Sequence, residues 1–276
     1  SAASDVYKRQ ACSDFKFKKG LVSATKTSGH TLQIADGLWL DKKFKAAMMK
    51  SIAQSELDRK RFVYSDIGFI LLQQVVEAVT GKTLDVYLVS EFYRPMGLEH
   101  TLFQPLNRYK KADIMPTAAN DYLRRQDLCG YVHDEAAAFM GGVSGNAGLF
   151  STAQELGKIY QMILNEGELD GKRYLRPETC RIFTTEKSAV SHRGLGYDKP
   201  NLKDPKANAC ASSAPASVYG HTGFTGTCAW VDPENDLVYI FLSNRLCPDA
   251  WNGKLNSMKI RQAVQEVIYQ SLYTPE

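Results

Sequence analysis

The chain has 276 residues, 44% of them hydrophobic, with 34 basic side chains against 30 acidic ones and a net charge of +4. That composition supplies a sizeable core and excludes global disorder, and so small and scattered a basic excess gives no footprint for nucleic acid. The longest apolar run, near Ile67–Leu72, is far too short to cross a bilayer, and no apolar signal segment opens the sequence.

The first ten residues, SAASDVYKRQ, have no periodicity and are expected to be a non-native leader, with 11–276 forming one partial domain. In DKKFKAAMMKSIAQSEL, Phe44, Ala47, Met48 and Ile52 fall at helical spacing. YSDIGFILLQQVVEAVTGKT gives the strongest helix, with Ile67, Ile70, Leu71, Val75, Ala78 and Val79 on one stripe and Gly81 as its stop. Thr83 is placed to cap a following helix with Leu84, Tyr87, Leu88 and Phe92 inward, ended by Pro95 and Gly97. Residues 106–131 read as loop-rich.

HDEAAAF is a short helix, followed by a Gly-rich loop from Gly141 to Gly148. Ser151 with Gln154 fits a capping box that opens a helix carrying Leu156, Ile159, Tyr160 and Ile163. Residues 186–216 lack periodicity and read as a long surface excursion. Strands follow at roughly 217–223, 226–231 and 237–243, the last two joined by a Pro-containing turn. A final amphipathic helix carries Leu255, Met258, Val264, Val267, Ile268 and Leu272. Helices over about 40–185, then an antiparallel sheet and helix over about 215–273, make an α+β layout. The six cysteines are dispersed without metal-ligand spacing, so neither a metal nor a cofactor site is expected, and Cys228 and Cys247 read as small apolar residues.

Two short motifs carry chemistry. Tyr64-Ser65-Asp66 stands at the mouth of the strongest helix, where free N–H groups and the dipole favour an anion, so the phenol can serve as a general base. The bland alternative makes Ser65 or Asp66 a helix cap and Tyr64 a staple on Phe69. YGHTGFTG, Tyr219 to Gly226, is either a turn before a hairpin or an edge strand built to hold a reacting carbonyl. Its G-x-x-G-x-x-G spacing lacks the Gly-Lys-Ser/Thr that a phosphate loop needs.

Together these motifs resemble the serine β-lactamase and penicillin-binding-protein family, in its class C-like branch of DD-peptidases and esterases. YSDIGFILLQQVVEAVTGKTLDVYL, FYRPMGLEHTLF, GGVSGNAGLFSTAQELGKIYQMILNEGELDGKRYL and YGHTGFTGTCAWVDPENDLVYIFLSN carry the similarity, over roughly residues 30–273. The nearest variant is similar to the module joined C-terminally to family three N-acetylglucosaminidases. The resemblance implies a helical subdomain beside an antiparallel sheet flanked by helices. It implies acyl transfer through a serine ester, with Tyr64 taking the nucleophile's proton. Asp66 stands in place of the usual Asn and His221 in place of the usual Lys. Thr222 and Gly223 line the edge strand, and the N–H of Phe224 gives half of an oxyanion hole.

The nucleophile is harder to place. Ser13 to Lys16 and Ser23 to Lys26 both satisfy Ser-x-x-Lys, but neither opens a buried apolar helix. The expectation is therefore a chain incomplete at its N-terminus, lacking its nucleophile segment and inactive alone. The implied partners are a small or peptidoglycan-derived acyl substrate and an upstream part of the same polypeptide. The implied location is the bacterial periplasm or cell surface. A non-catalytic peptidoglycan-binding module and an accessory domain of a glycosidase are the alternatives.

Overall fold

The computed structural model describes residues 11–13, 16–56 and 63–273, so the expected leader at 1–10 lies outside the described residues. The chain divides into two units, residues 1–150 with 247–250, and residues 151–246 with 251–276.

In the first unit, β1 (Cys12–Ser13) and β2 (Lys16–Phe17) form a short hairpin. β3 (Val22–Ser23), β4 (His30–Ala35) and β5 (Leu38–Asp41) make an antiparallel sheet in the order β3-β5-β4. The two-residue turn Asp36-Gly37, with Gly37 at φ 60°, closes β4 onto β5. Helix α1 (Phe44–Gln54) buries Phe44, Met48 and Ile52 at the expected spacing, while Ala47 stays exposed.

Helix α2 (Ile67–Thr80) ends where expected, at Gly81 in the left-handed conformation with φ 67°. Its inward face differs from the expected stripe. Ile70 and Gln73 are buried, whereas Leu71, Leu72, Val75 and Val79 are exposed. The Gly-rich loop explains the rotation. Gln73 Oε1 accepts from the N–H of Gly145 at 3.1 Å, and its Nε2 donates to Glu77 Oε1 at 2.9 Å and to the carbonyl of Val143 at 3.3 Å. A Cβ on Gly145 would stand 2.1 Å from the carbonyl oxygen of Phe69, so only glycine lets the loop lie on this helix.

Helix α3 (Leu84–Leu88) begins after Thr83, whose side chain makes no capping bond; Glu77 accepts from the N–H of Leu84 instead, at 3.2 Å. It passes into a π-helical turn over Val89–Tyr93, and that wider turn buries Tyr93 rather than Phe92. β6 (Leu102–Phe103) precedes a second hairpin of β7 (Pro116–Ala118) and β8 (Leu128–Cys129). Helix α4 (Glu135–Phe139) is capped by Asp134, whose carboxylate accepts from the N–H of Ala137 at 2.8 Å. β9 (Leu149–Phe150) then pairs with β6. The core gathers Leu40, Met48, Ile70 and Phe139, with the Phe44 and Phe139 rings edge to face at 5.2 Å.

The second unit opens with α5 (Ala153–Leu164). Its cap is Thr152, which accepts from the N–H of Glu155 at 3.3 Å, one residue beyond the expected Ser151 and Gln154. STAQE satisfies the capping pattern in both frames, and the later frame leaves Met162 to be buried. β10 (Glu168–Leu169), β11 (Lys172–Arg173) and α6 (Pro177–Thr185) follow, so both helices belong with the sheet rather than with the preceding helical part. β12 (Tyr219–Thr222), β13 (Cys228–Asp232) and β14 (Leu237–Phe241) form the antiparallel sheet at nearly the expected positions, with α5 packed on β13 and β14.

The chain closes with α7 (Lys254–Ser257) and α8 (Ile260–Tyr273), separated by Lys259 at φ 50°. The inward residues of α8 are Gln265 and Tyr269, while Met258, Val264, Val267 and Leu272 are exposed. Two buried polar bonds fix this face. Tyr269 donates to Asp232 Oδ2 at 2.8 Å, and Gln265 Oε1 accepts from the N–H of Ala211 at 2.8 Å. Helices with an antiparallel sheet make the α+β layout that the sequence implied.

Candidate active site

Tyr64 lies just ahead of α2 and is exposed. Asp66 occupies the N-cap position, but its backbone is already helical and its carboxylate makes no capping bond. The carbonyl of Asp66 accepts from the N–H groups of Phe69 at 3.1 Å and Ile70 at 3.2 Å, and Ser65 Oγ accepts from Ile67 at 3.3 Å. The helix is therefore started by its main chain and by Ser65, and the side chain of Asp66 has no part in capping it.

His221 sits on β12 opposite Ala229, in the second unit. Its Nε2 is 3.0 Å from Arg193 Nη1, and its Nδ1 is 2.7 Å from the carbonyl of Thr222. A guanidinium can only donate, so Nε2 accepts, and Nδ1 carries the proton that is given to Thr222. Both ring nitrogens are thus engaged.

Arg193 comes from the stretch 186–216, read from the sequence as a surface excursion. The structure corrects that reading, because Asp198, Lys199, Asn208, Cys210 and Ala211 are all buried. The stretch runs along β12 and pairs with it through Asp198 and Gly220, with N–H to carbonyl distances of 2.7 and 3.1 Å. Gly220 has to be glycine for the strand to pass: a Cβ would stand 2.1 Å from the carbonyl oxygen of Ala229. The buried carboxylate of Asp198 binds Arg193 Nη2 at 3.3 Å and His192 Nε2 at 2.9 Å. Next to it, Lys199 is nearly fully buried, donates to the carbonyl of Thr184 at the end of α6, and lies 5.7 Å from the ring centre of Tyr219. Burial, aided by the charge of Lys187, pushes its pKa down to about 8.

Thr222 ends β12, and a tied turn follows it. Gly223 donates to Thr227 at 2.8 Å, Gly226 donates to Gly223 at 3.1 Å, and Arg261 Nη1 donates to Thr227 at 3.0 Å. Phe224 is exposed, yet Arg245 fixes it by donating to its carbonyl at 2.7 Å and stacking 4.3 Å from its ring centre. Its carbonyl and ring are thus held in the turn directly after the strand.

Both serines of the Ser-x-x-Lys matches lie on strands, and Lys26 lies in the connection after β3. Ser13 and Lys16 face each other across the β1–β2 hairpin. Ser23 ends β3 and accepts from the N–H of Thr25 at 3.3 Å, while Lys26 lies over the Trp39 ring at 5.6 Å. Neither pair has the one-turn helical spacing through which a lysine activates a serine. Among the described residues no cluster of His, Cys, Asp and Glu is placed to hold a metal ion, and the six cysteines are free thiols. No helix among the described residues is long and apolar enough to cross a membrane.

Sequence and structure comparisons identify the family and the fold. A family model described as Beta-lactamase matches residues 24–261. The chain is 38% identical over 197 residues to a putative D-alanyl-D-alanine carboxypeptidase of Escherichia coli (strain K12), covering 67% of this chain and 45% of that one. It is 36% identical over 197 residues to an N-acetylmuramyl-L-alanine amidase of Bacillus subtilis (strain 168), covering 67% of this chain and 44% of the relative. The chain thus spans about half the length of the curated relatives it matches. Its fold is similar to that of EstCE1, a hydrolase with promiscuous acyltransferase activity, with a TM-score of 0.53 at 17% identity over 80% of this chain and 61% of that one. It is also similar to the octameric penicillin-binding protein homologue from Pyrococcus abyssi, with a TM-score of 0.52 at 17% identity over 83% and 50% of the two chains.

Proposed function

The chain belongs to the beta-lactamase family, whose members are hydrolytic, and we propose that it carries the base and carboxylate-anchoring elements of a serine acyl-transfer site. The substrate is an acyl compound of peptidoglycan type ending in a free carboxylate. The observation that carries this reading is Arg193, 3.0 Å from His221 and paired with Asp198. A histidine alone offers a carboxylate little, whereas the guanidinium beside it adds a permanent charge, which an incoming carboxylate would share with Asp198.

The family resemblance supplies the roles. Tyr64 is the candidate base for the proton of a serine hydroxyl, and the N–H of Phe224 is the candidate donor to an oxyanion. In such acyl transfer the serine oxygen attacks the substrate carbonyl, collapse expels the leaving group with that proton, and water cleaves the serine ester to free acid and serine. Thr222 and Gly223 border the extended substrate on the edge strand. The Asp66 carboxylate next to Tyr64 disfavours a phenolate, so a cation such as the lysine of Ser-x-x-Lys has to offset it. The strand positions of Ser13 and Ser23 argue that the nucleophile is another serine, contributed by a further segment of the polypeptide. The relatives named for peptidoglycan chemistry favour a site of action at the cell wall.

A fluorescent penicillin tests the assignment. The chain as given should remain unlabelled, and a longer polypeptide that includes a helical Ser-x-x-Lys should be labelled at that serine. Stoichiometric labelling of Ser13 or Ser23 would overturn the placement of the nucleophile. A second reading, a module that holds such ligands without turnover, is favoured by those same strand-borne serines. It would be established by tight carboxylate binding with no labelling of the longer polypeptide.

A further inference from the structure

A cavity of about 260 Å³ opens in the first unit, bordered by Lys26, Gln33, Trp39, Gln104, Asn107 and Tyr131. Part of its wall is bare main chain, since Gly141 and Gly142 turn there with φ of 88° and 86°. Gln104 is held in the left-handed region at φ 48°, a costly conformation for a residue with a side chain, and its bonds show what holds it. Its Nε2 donates to the carbonyl of Gly141, and its Oε1 accepts from Asn107 Nδ2 at 3.1 Å. Gln104 is fully spent on structure, and in consequence it orients Asn107.

The remaining polar groups are not spent. Among the described residues Asn107 Oδ1 and Gln33 Oε1 accept no hydrogen bond, and Lys26 has no carboxylate partner; its ammonium lies 5.6 Å from the centre of the Trp39 ring. The cavity therefore offers a ligand two acceptors, one cation, and an indole that suits a flat ring edged with C–H groups. Leu32 and Leu106 add apolar lining.

We propose that this cavity binds one pyranose ring bearing an acetamido group. Lys26 leaves its place over the Trp39 ring so that the C–H face of the sugar lies on the indole, and the sugar's hydroxyl and amide N–H groups donate to Asn107 and Gln33. The acetamido carbonyl accepts from Lys26, and its methyl meets the leucines. A single ring fits the volume, and hydroxyl donors match the unspent acceptors better than an extended peptide does. The proposal goes beyond the acyl-transfer reading and does not rest on it, because binding needs neither Tyr64 nor His221.

The test is a calorimetric titration of the full chain with N-acetylglucosamine, with the indole N–H resonance of Trp39 reporting the site in every chain that keeps that residue. Parallel titrations use glucose and acetyl-D-alanyl-D-alanine. A saturable shift with N-acetylglucosamine, weaker with glucose, is expected. Trp39→Ala and Asn107→Ala should each reduce affinity about tenfold, while His221→Ala leaves it unchanged. Asn107 is exposed, so its variant keeps the test meaningful should Trp39→Ala fail to fold. Absence of a shift with the amino sugar, an equal response to glucose, a response to the peptide alone, or unaltered affinity in Asn107→Ala would each overturn the proposal.

Discussion

Arg193 donates from Nη1 to His221 Nε2 at 3.0 Å, and this one bond sets what the histidine can do. With Nδ1–H directed to Thr222, the imidazole has no lone pair left to take a proton while Arg193 is in place. In the function proposed above, a carboxylate arriving at this strand would meet the guanidinium as the charged partner and the ring as its orienter. The family resemblance has a lysine at the position of His221, and the guanidinium, shared with Asp198, is the cation nearest that position here.

Arg193→Ala should therefore weaken binding of acetyl-D-alanyl-D-alanine by about 2–3 kcal/mol, roughly a hundredfold, as expected for a charge-assisted pair. Arg193→Lys keeps the charge but loses the fork, and should recover only part of that loss. The amidated form of the same peptide should bind the native chain and both variants with nearly equal affinity. Calorimetric titration of the two peptides checks this, and equal losses for acid and amide would rule out a carboxylate anchor.

Lys199 should make stability depend on pH in the alkaline range. Its pKa is about 8 in the folded chain against 10.5 when unfolded, so between those values the unfolded state holds more protons and stability rises with pH. Below pH 8 the cost of the buried charge is fully present, with an upper bound of about 3 kcal/mol from a shift of that size. Lys199→Met fills the same space without the charge. Compared at about pH 7 and about pH 10, the native chain should gain stability relative to this variant. Parallel pH profiles for the two would show that the amine is not buried as described.

Gly220→Ala should lower stability by about 1–3 kcal/mol or more, because the added methyl meets the carbonyl of Ala229 and the Trp230 main chain with no flexible atom to yield. The same change should release the Asp198 pairing. Urea denaturation reads the first effect, and faster amide exchange at Asp198 and Gly220 reads the second. An unchanged midpoint would contradict the close approach of β12 and β13.

Arg124 and Asp121 form a buried pair, with Nε to Oδ1 at 3.0 Å and Nη2 to Oδ2 at 2.9 Å, and the guanidinium also donates to the carbonyls of Val132 and His133. Removing it by Arg124→Met strands a carboxylate and should cost about 3–5 kcal/mol. Burial raises the Asp121 pKa, but the bonds and charge of Arg124 outweigh it and hold the carboxyl below its ordinary value. The stability due to this pair is therefore present above the ordinary carboxylate range and is lost as pH falls through the lowered value. Acid unfolding of native and Arg124→Met chains, followed by circular dichroism, should show that this component is missing from the variant.

The elements that sequence patterning located are those whose signals are local. The three strands of the second unit and the Gly81 stop follow from alternation and backbone freedom, and each stands at or next to its expected position. The inward face of α2 was not legible, because Gln73 wins burial through bonds to residues some seventy positions later. Ile70, Leu71, Val75 and Val79 form a good stripe in isolation, and nothing nearby signals that a glycine loop will claim the other edge. Arg193 escaped for a similar reason. Its stretch is anchored by main-chain pairing and one buried carboxylate, which leave no periodic trace. The β4–β5 hairpin did have a readable mark, the Asp36-Gly37 pair between an alternating run and LWL, which helical periodicity cannot register.

Where the Arg193 stretch joins β12, the link is made through the peptide groups of Asp198 and Gly220, and the Asp198 carboxylate ties Arg193 and His192 back to that same residue. Such a join behaves as a pinned lever. One residue fixes the stretch on the strand and aims the guanidinium at His221, so a change at residue 193 alters what the histidine meets and also takes a partner from a buried carboxylate.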